Sequence, residues 1–203
     1  MEIKKEIKKE INMKIILASA SPRRREIMEL VGLPFEIDTD DVDETIEHEA
    51  KPSEYVKELS LRKALAVSKR HSSDIVIGAD TIVSCDGSIL GKPKDTDDAY
   101  RMLKMLSGRT HSVYTGVTII YPDSMAGIKR DTFQVKTDVR MYDNDDDLLQ
   151  GYSECGEPLD KAGAYAIQGK GAILVEAING DYYNVMGLPV AELYRRLRAA
   201  GVL

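Results

Sequence analysis

The chain has 203 residues, a formal net charge of −6, 43% hydrophobic residues and two cysteines. That content gives a sizeable core and suits one domain, with room for two lobes, while the acidic balance and the lack of a long basic stripe argue against a nucleic-acid partner. Cys85 and Cys155 lie far apart without a metal-spaced histidine, which argues against a zinc or disulfide framework and fits a reducing cytoplasm; no apolar stretch reaches membrane-spanning length, so no membrane partner is expected.

Residues 1–12 are mostly Lys, Glu and Ile, with Ile3, Ile7 and Ile11 at i+4 spacing. Met13 stands directly before the first core strand, so residues 1–12 read as a dispensable extension and residues 13–203 as a single domain. Ile15-Ile16-Leu17-Ala18 predicts a buried strand feeding a helix, with Ser21 at the N-cap, Pro22 at the first helical position, an apolar side of Ile27, Leu30 and Val31, and Gly32 at the close. Arg23, Arg24 and Arg25 fill the first turn, where cations oppose the helix dipole but backbone N–H groups attract anions. The segment therefore reads as an anion site or as a solvated basic turn.

Phe35-Glu36-Ile37 is strand-like and runs into an acidic stretch from Asp38 to Glu47. Pro52 opens a helix to about Arg70 in which Tyr55, Val56, Leu59, Ala66 and Val67 share a face. Lys63, four residues after Leu59, lies on that face and must either reach water or meet an anion. Ile75-Val76-Ile77 predicts a short apolar strand ending in Gly78-Ala79-Asp80-Thr81, which places a carboxylate and a hydroxyl where ligands commonly bind. Asp86-Gly87 predicts a two-residue hairpin turn, followed by Lys92-Pro93.

The next helix obeys the dipole rule, with Asp95 or Thr96 as cap, Asp97 and Asp98 in the first turn, and Arg101 and Lys104 later. Val113 to Tyr121 and Thr132 to Tyr142 predict two strands paired antiparallel. Asp143 or Asn144 caps a short acidic helix to about Tyr152, and a glycine-rich loop follows. Ala172 to Ile178, Asn179-Gly180 and Asp181 to Val185 predict a second hairpin, in which Tyr182 and Tyr183 either pack against their neighbours or stack on a base. Pro189 starts a C-terminal helix carrying Val190, Leu193 and Leu197. The mixture of strands, helices and hairpins implies an α/β (mixed α+β) chain with a mixed central sheet.

No G-x-x-x-x-G-K-[ST] loop and no G-x-G-x-x-G follows a strand, which argues against a P-loop NTPase or a Rossmann dehydrogenase. Arg23, Arg24, Lys63, Asp80 and Lys92 would make a polyphosphate site if they converge, since guanidinium forks and ammonium groups neutralise phosphate oxygens and carboxylates hold a divalent metal or take a proton from water. Singly, Asp80 also fits a turn-stabilising role and Lys92 a surface charge. His48, His71 and His111 have no metal-ligand spacing.

Six blocks in one order carry a further signal: Ser19-x-Ser21-Pro22-Arg23-Arg24; Gly78-Ala79-Asp80-Thr81; Gly91-Lys92-Pro93; Ser107-Gly108-x-Thr110-His111-x-Val113-x-Thr115-Gly116-Val117; Glu157-Pro158-x-Asp160-Lys161-Ala162-Gly163-Ala164-Tyr165-x-Ile167-Gln168-Gly169; and Gly180-Asp181-Tyr182-Tyr183-x-Val185-x-Gly187-Leu188-Pro189. Together they resemble the Maf family of nucleoside triphosphate pyrophosphatases over nearly everything after Met13. The resemblance implies an elongated two-lobed fold like that of inosine triphosphate pyrophosphatases, with a cleft between the lobes, and metal-dependent hydrolysis of a nucleoside triphosphate to the monophosphate and pyrophosphate.

By the same resemblance, Asp80 is the general base, and Arg23, Arg24, Lys63 and Lys92 contact the triphosphate. Glu44 joins Asp80 at a Mg²⁺ or Mn²⁺ ion, with Asp43 as its close neighbour in the motif. Thr81 and Gln168, with Arg23, match the positions that set substrate choice in the dTTP/UTP-type subgroup. A homodimer and a housecleaning role follow from the resemblance alone, as does the alternative of a non-enzymatic regulator of cell division or septum formation.

Overall fold

The computed structural model describes residues 13–46, 50–123 and 127–203, so the helical spacing of Ile3, Ile7 and Ile11 lies outside the described residues. The elements are β1 (Ile15–Ala18), α1 (Pro22–Leu30), β2 (Glu36–Ile37), α2 (Pro52–Ser68), β3 (Ile75–Cys85), β4 (Ser88–Leu90) and α3 (Thr96–Leu106). They continue with β5 (Thr110–Asp123), β6 (Gly127–Met141), α4 (Asp146–Ser153), three short 3-10 turns between Glu157 and Leu174, β7 (Val175–Asn179), α5 (Tyr182–Met186) and α6 (Val190–Ala199).

The strands form one sheet in the order β2-β1-β3-β5-β6-β7, with β4 paired to β3. β1 runs parallel to β2 and to β3, whereas β4 and β7 are antiparallel to β3 and β6. Only three residues join β5 to β6, too few for a parallel crossover, so this pair is antiparallel as expected. The sheet is therefore mixed, and the fold is a mixed α/β one.

The chain packs as two compact units, the counterpart of the two lobes in the expectation. The first contains the described residues up to Asp80 together with those of 115–134 and 187–203. Its parallel strands β1 and β3 present unbroken apolar runs, Ile15 to Leu17 and Ile75 to Ile77, that are wholly buried, as strands covered on both faces must be. Ala64 and Val67 of α2 pack there with Ile16, Val76 and Ile120. Two glycines set how close α2 lies: a Cβ on Gly78 would stand 2.4 Å from the Ser60 carbonyl oxygen, and one on Gly116 2.2 Å from that of Val56. No other residue allows such an approach.

The second unit contains residues 81–114 and 135–186. Met102, Leu103 and Leu106 of α3 centre its core, against Val83, Val139 and Leu149. Asp95 caps α3 by accepting from the Asp98 amide at 2.8 Å. Asp86 and Gly87 both have positive φ, 49° and 81°, as a two-residue turn between β3 and β4 requires.

Several local expectations are corrected. The strand expected to end in Gly78-Ala79-Asp80-Thr81 instead runs on to Cys85 as β3, because Gly78 is a contact point under α2 and not a break. Ser21 occupies the cap position of α1 but its side chain makes no cap hydrogen bond, and Leu30 is 66% exposed while Met28 is buried. Asp145, not Asp143 or Asn144, caps α4 by accepting from the Leu148 amide; Asn144 turns inward and donates to the Tyr142 carbonyl at 2.8 Å.

The second hairpin does not form. β7 pairs with β6, and residues 182–186 are helical. The Tyr183 amide donates to Asp181 Oδ1 at 2.8 Å, and buried Asn184 donates to the Val113 carbonyl and to Thr137 Oγ1 at 3.1 and 3.0 Å, contacts distant in sequence that override the local Asn-Gly signal.

Candidate functional site

Asp80 follows Gly78 by two residues in β3, so both face α2. The close approach that Gly78 permits brings Lys63 of α2 over Asp80, and Lys63 Nζ donates to Asp80 Oδ1 at 2.6 Å. On its other side the same ammonium meets Glu44 Oε1 at 2.8 Å. The side chains of Lys63 and Asp80 are 18% and 11% exposed, that of Glu44 60%. The lysine on the apolar face has thus met anions, two carboxylates on one cation.

Glu44 sits in a loop that α2 holds by its backbone. Arg62 Nη1 donates to the carbonyl oxygens of Asp43 and Thr45, each at 2.8 Å, and Asp43 Oδ1 accepts from the Thr45 amide at 2.8 Å. Upstream, Arg70 donates to Asp38 at 3.0 Å, to Asp40 at 2.6 Å and to the Thr39 carbonyl at 3.1 Å. His71 Nε2 lies 2.9 Å from Asp38. The Arg70 hydrogen bond, then that of His71, holds the Asp38 carboxyl down at about 2. An open depression of about 460 Å³ lies outside this loop, between Asp40 to Asp43 and Arg62, Ala66 and Lys69; neither Asp80 nor Arg24 lines it.

The arginine-led start of α1 joins the same site. Arg24 Nε donates to the Gly187 carbonyl at 2.8 Å and Nη1 to Ser19 Oγ at 2.9 Å. Burial pushes its guanidinium pKa down, the charge of Asp80 opposes that, and the charges of Arg23 and Glu44 act on it too. The group stays cationic. Arg23, Arg24, Glu44, Lys63 and Asp80 therefore lie within one electrostatic neighbourhood of the first unit.

Tyr55, read from the sequence as core, belongs there too: burial, then the charges of Asp80 and Glu44, push its phenol up. Its helical spacing from Leu59 and Lys63 was the available signal. Ser19 and Gly187, present in the motif blocks without a role, position Arg24.

The other sequence-predicted residues lie in the second unit. Thr81 follows Asp80 in β3, on the opposite face by strand alternation. Lys92 is exposed beyond β4, in a segment tied to the glycine-rich loop by the Gly163 amide donating to the Gly91 carbonyl at 3.0 Å. Gln168 precedes the last 3-10 turn with extended backbone. Glu157 braces that turn, accepting from Tyr152 Oη at 3.0 Å and from the amides of Lys170 and Gly171 at 3.1 and 3.2 Å. His111, without metal-ligand spacing, is 2% exposed and its Nε2 lies 2.7 Å from Tyr165 Oη.

No group of three or more His, Cys, Asp or Glu side chains arranged to hold a metal occurs among the described residues. Asp80 and Glu44, converging on one ammonium, nonetheless fit a small hard cation that takes one or two carboxylates and fills its other positions with substrate phosphates and water.

A buried carboxylate between cations, beside an arginine-bearing helix start on an α/β sheet, defines a class of site suited to phosphoanhydride chemistry. Residues 14–200 match the family model described as Maf-like protein, and the chain belongs to that family. It is 51% identical over 185 residues to the dTTP/UTP pyrophosphatase of Bacillus cereus strain G9842, covering 91% of this chain and 94% of the relative. The dTTP/UTP pyrophosphatase of Bacillus mycoides strain KBAB4 matches at the same identity and coverage. Among solved structures, the Ham1 protein of Staphylococcus aureus aligns with a TM-score of 0.47 and 16% identity, over 64% of this chain and 73% of that one. No helix among the described residues is long and apolar enough to cross a membrane.

Proposed function

We propose that this chain hydrolyses dTTP and UTP to the nucleoside monophosphate and pyrophosphate, a housecleaning reaction on pyrimidine nucleotides. The observation that carries the reading is the largely buried Asp80 carboxylate held at 2.6 Å by Lys63, with Glu44 on the far side of the same ammonium. The 51% identity to relatives named for this activity supports it across 91% of the chain.

Water attacks the α-phosphorus, and Asp80 takes its proton as the bond to the pyrophosphate leaving group breaks. Lys63 turns from its carboxylates to a phosphate oxygen, and Arg23 and Arg24, at the positive end of α1, neutralise charge gathering on the leaving group. Lys92 adds a further cation to the triphosphate. Asp80 and Glu44 would hold a divalent cation, Mg²⁺ or Mn²⁺, which when bound supplies charge neutralisation at the phosphates. Gln168, whose amide both donates and accepts, and Thr81 select the base together with Arg23.

A panel of nucleoside triphosphates assayed for pyrophosphate with Mn²⁺ tests this reading. dTTP and UTP are expected to lead, and Asp80→Asn to lower turnover by about 10²- to 10⁴-fold while melting cooperatively. Orthophosphate as the first product, or full turnover by Asp80→Asn, would refute it.

A further inference from the structure

Arg62 and Lys63 are consecutive in α2, yet both reach the loop that carries Glu44. Lys63 takes its carboxylate at 2.8 Å, while a single nitrogen of Arg62, Nη1, takes the carbonyl oxygens on either side of it, Asp43 and Thr45, each at 2.8 Å. The other terminal nitrogen, Nη2, is held by Glu58 one helical turn back, so the planar guanidinium is aimed at the loop by its own helix.

The arrangement decides what fixes Glu44. Its carboxylate is 60% exposed, and an ion pair so exposed holds little by itself. That pair also uses the ammonium that must serve the substrate. The backbone clamp does not depend on Lys63 and stays in place when Lys63 turns away.

We propose that Arg62 is a positioning residue: by clamping the carbonyls that flank Glu44 it holds this carboxylate at the divalent cation, without touching cation or nucleotide itself. The inference rests on the role given to Glu44 in the proposed reaction. It also makes Arg62→Lys non-conservative, because a flexible ammonium lacks the fixed fork that spans two carbonyls and Glu58 together.

The test is a Mn²⁺ titration of the full chain, followed by electron paramagnetic resonance, in the presence of a non-hydrolysable α,β-imido analogue of UTP. Arg62→Met is expected to weaken Mn²⁺ binding by about tenfold, as loss of a group that orients a metal ligand typically does. Arg62→Lys should fall between the two, and it carries the test where Arg62→Met melts too early. In a Glu44→Gln background, Arg62→Met should produce no further loss, since the clamp then holds nothing the cation uses. Wild-type Mn²⁺ affinity in the folded Arg62 variants, or an equal further loss on top of Glu44→Gln, would overturn the proposal. The titration is read without turnover, so either failure leaves pyrophosphate release by the wild type standing and separates this inference from the reading beneath it.

Discussion

Replacing Lys63 by Met removes the ammonium that two carboxylates share and keeps the length of the side chain. The two arms differ in burial, and this sets the magnitude. Asp80, 11% exposed, loses the partner that offsets its burial; breaking a buried pair costs about 3 to 5 kcal/mol, reduced to about 2 to 3 here because the site opens toward Glu44 and water. The Glu44 arm, 60% exposed, adds under about 1 kcal/mol. Lys63→Met should therefore lower stability by about 3 kcal/mol, a fall in Tm of roughly 6 to 12 °C for a chain of this size.

Calorimetry without nucleotide or metal reads this directly, alongside Glu44→Gln and Asp80→Asn. Glu44→Gln is expected within about 2 or 3 °C of the wild type. The double variant Lys63→Met/Asp80→Asn should recover at least about 1 kcal/mol relative to Lys63→Met alone, because no buried carboxylate is then left unpaired. Strictly additive losses in the double variant, or a Glu44→Gln loss equal to that of Lys63→Met, would refute the reasoning, since the lysine would then not be the counter-charge of Asp80.

Two further predictions concern stability. Burial holds the folded pKa of His111 at about 4 against 6.5 when solvated, so the unfolded chain binds the extra proton between those values. The stability this gives is complete above about pH 6.5, is lost as pH falls toward 4, and amounts to about 2 kcal/mol between about pH 7.5 and about pH 5. Urea unfolding at the two pH values checks it; an undiminished pH dependence in His111→Gln would contradict the assignment. Asp95→Ala should cost about 1 kcal/mol by removing the α3 cap, whereas Ser21→Ala should cost no more than a few tenths, since Ser21 makes no side-chain cap bond. Equal losses in thermal melts would count against the difference.

What could be read from the chain was what local chemistry dictates. The Asp86-Gly87 turn, the Asp95 cap, the arginine-led α1 and the apolar β1 all formed as their residues demand. The motif blocks mark Asp80, Arg23 and Arg24, the helical spacing from Leu59 marks Lys63, and the first unit places the four in one neighbourhood. Distant contacts decided the rest. Gly78-Ala79-Asp80 has the composition of a strand end, yet the backbone of α2 overhead makes glycine a spacing requirement inside a continuous strand. Tyr182 to Met186 follows an Asn-Gly hairpin signal, yet Asn184 is claimed by Val113 and Thr137, 71 and 47 residues away. Arg62 gave no sequence signal at all, because its partners are main-chain carbonyls, which every residue supplies.

Two residues without side chains govern the reach of two that carry charge. At Gly78 and Gly116 the helix rests on bare backbone, 2.4 and 2.2 Å from where a methyl group would begin. The missing carbons act as the gauge of the lysine–aspartate gap: thickening either strand position by one atom would lift the helix and draw the ammonium off its carboxylate. The Lys63–Asp80 contact is thus set by two positions that bring no side chain of their own to it.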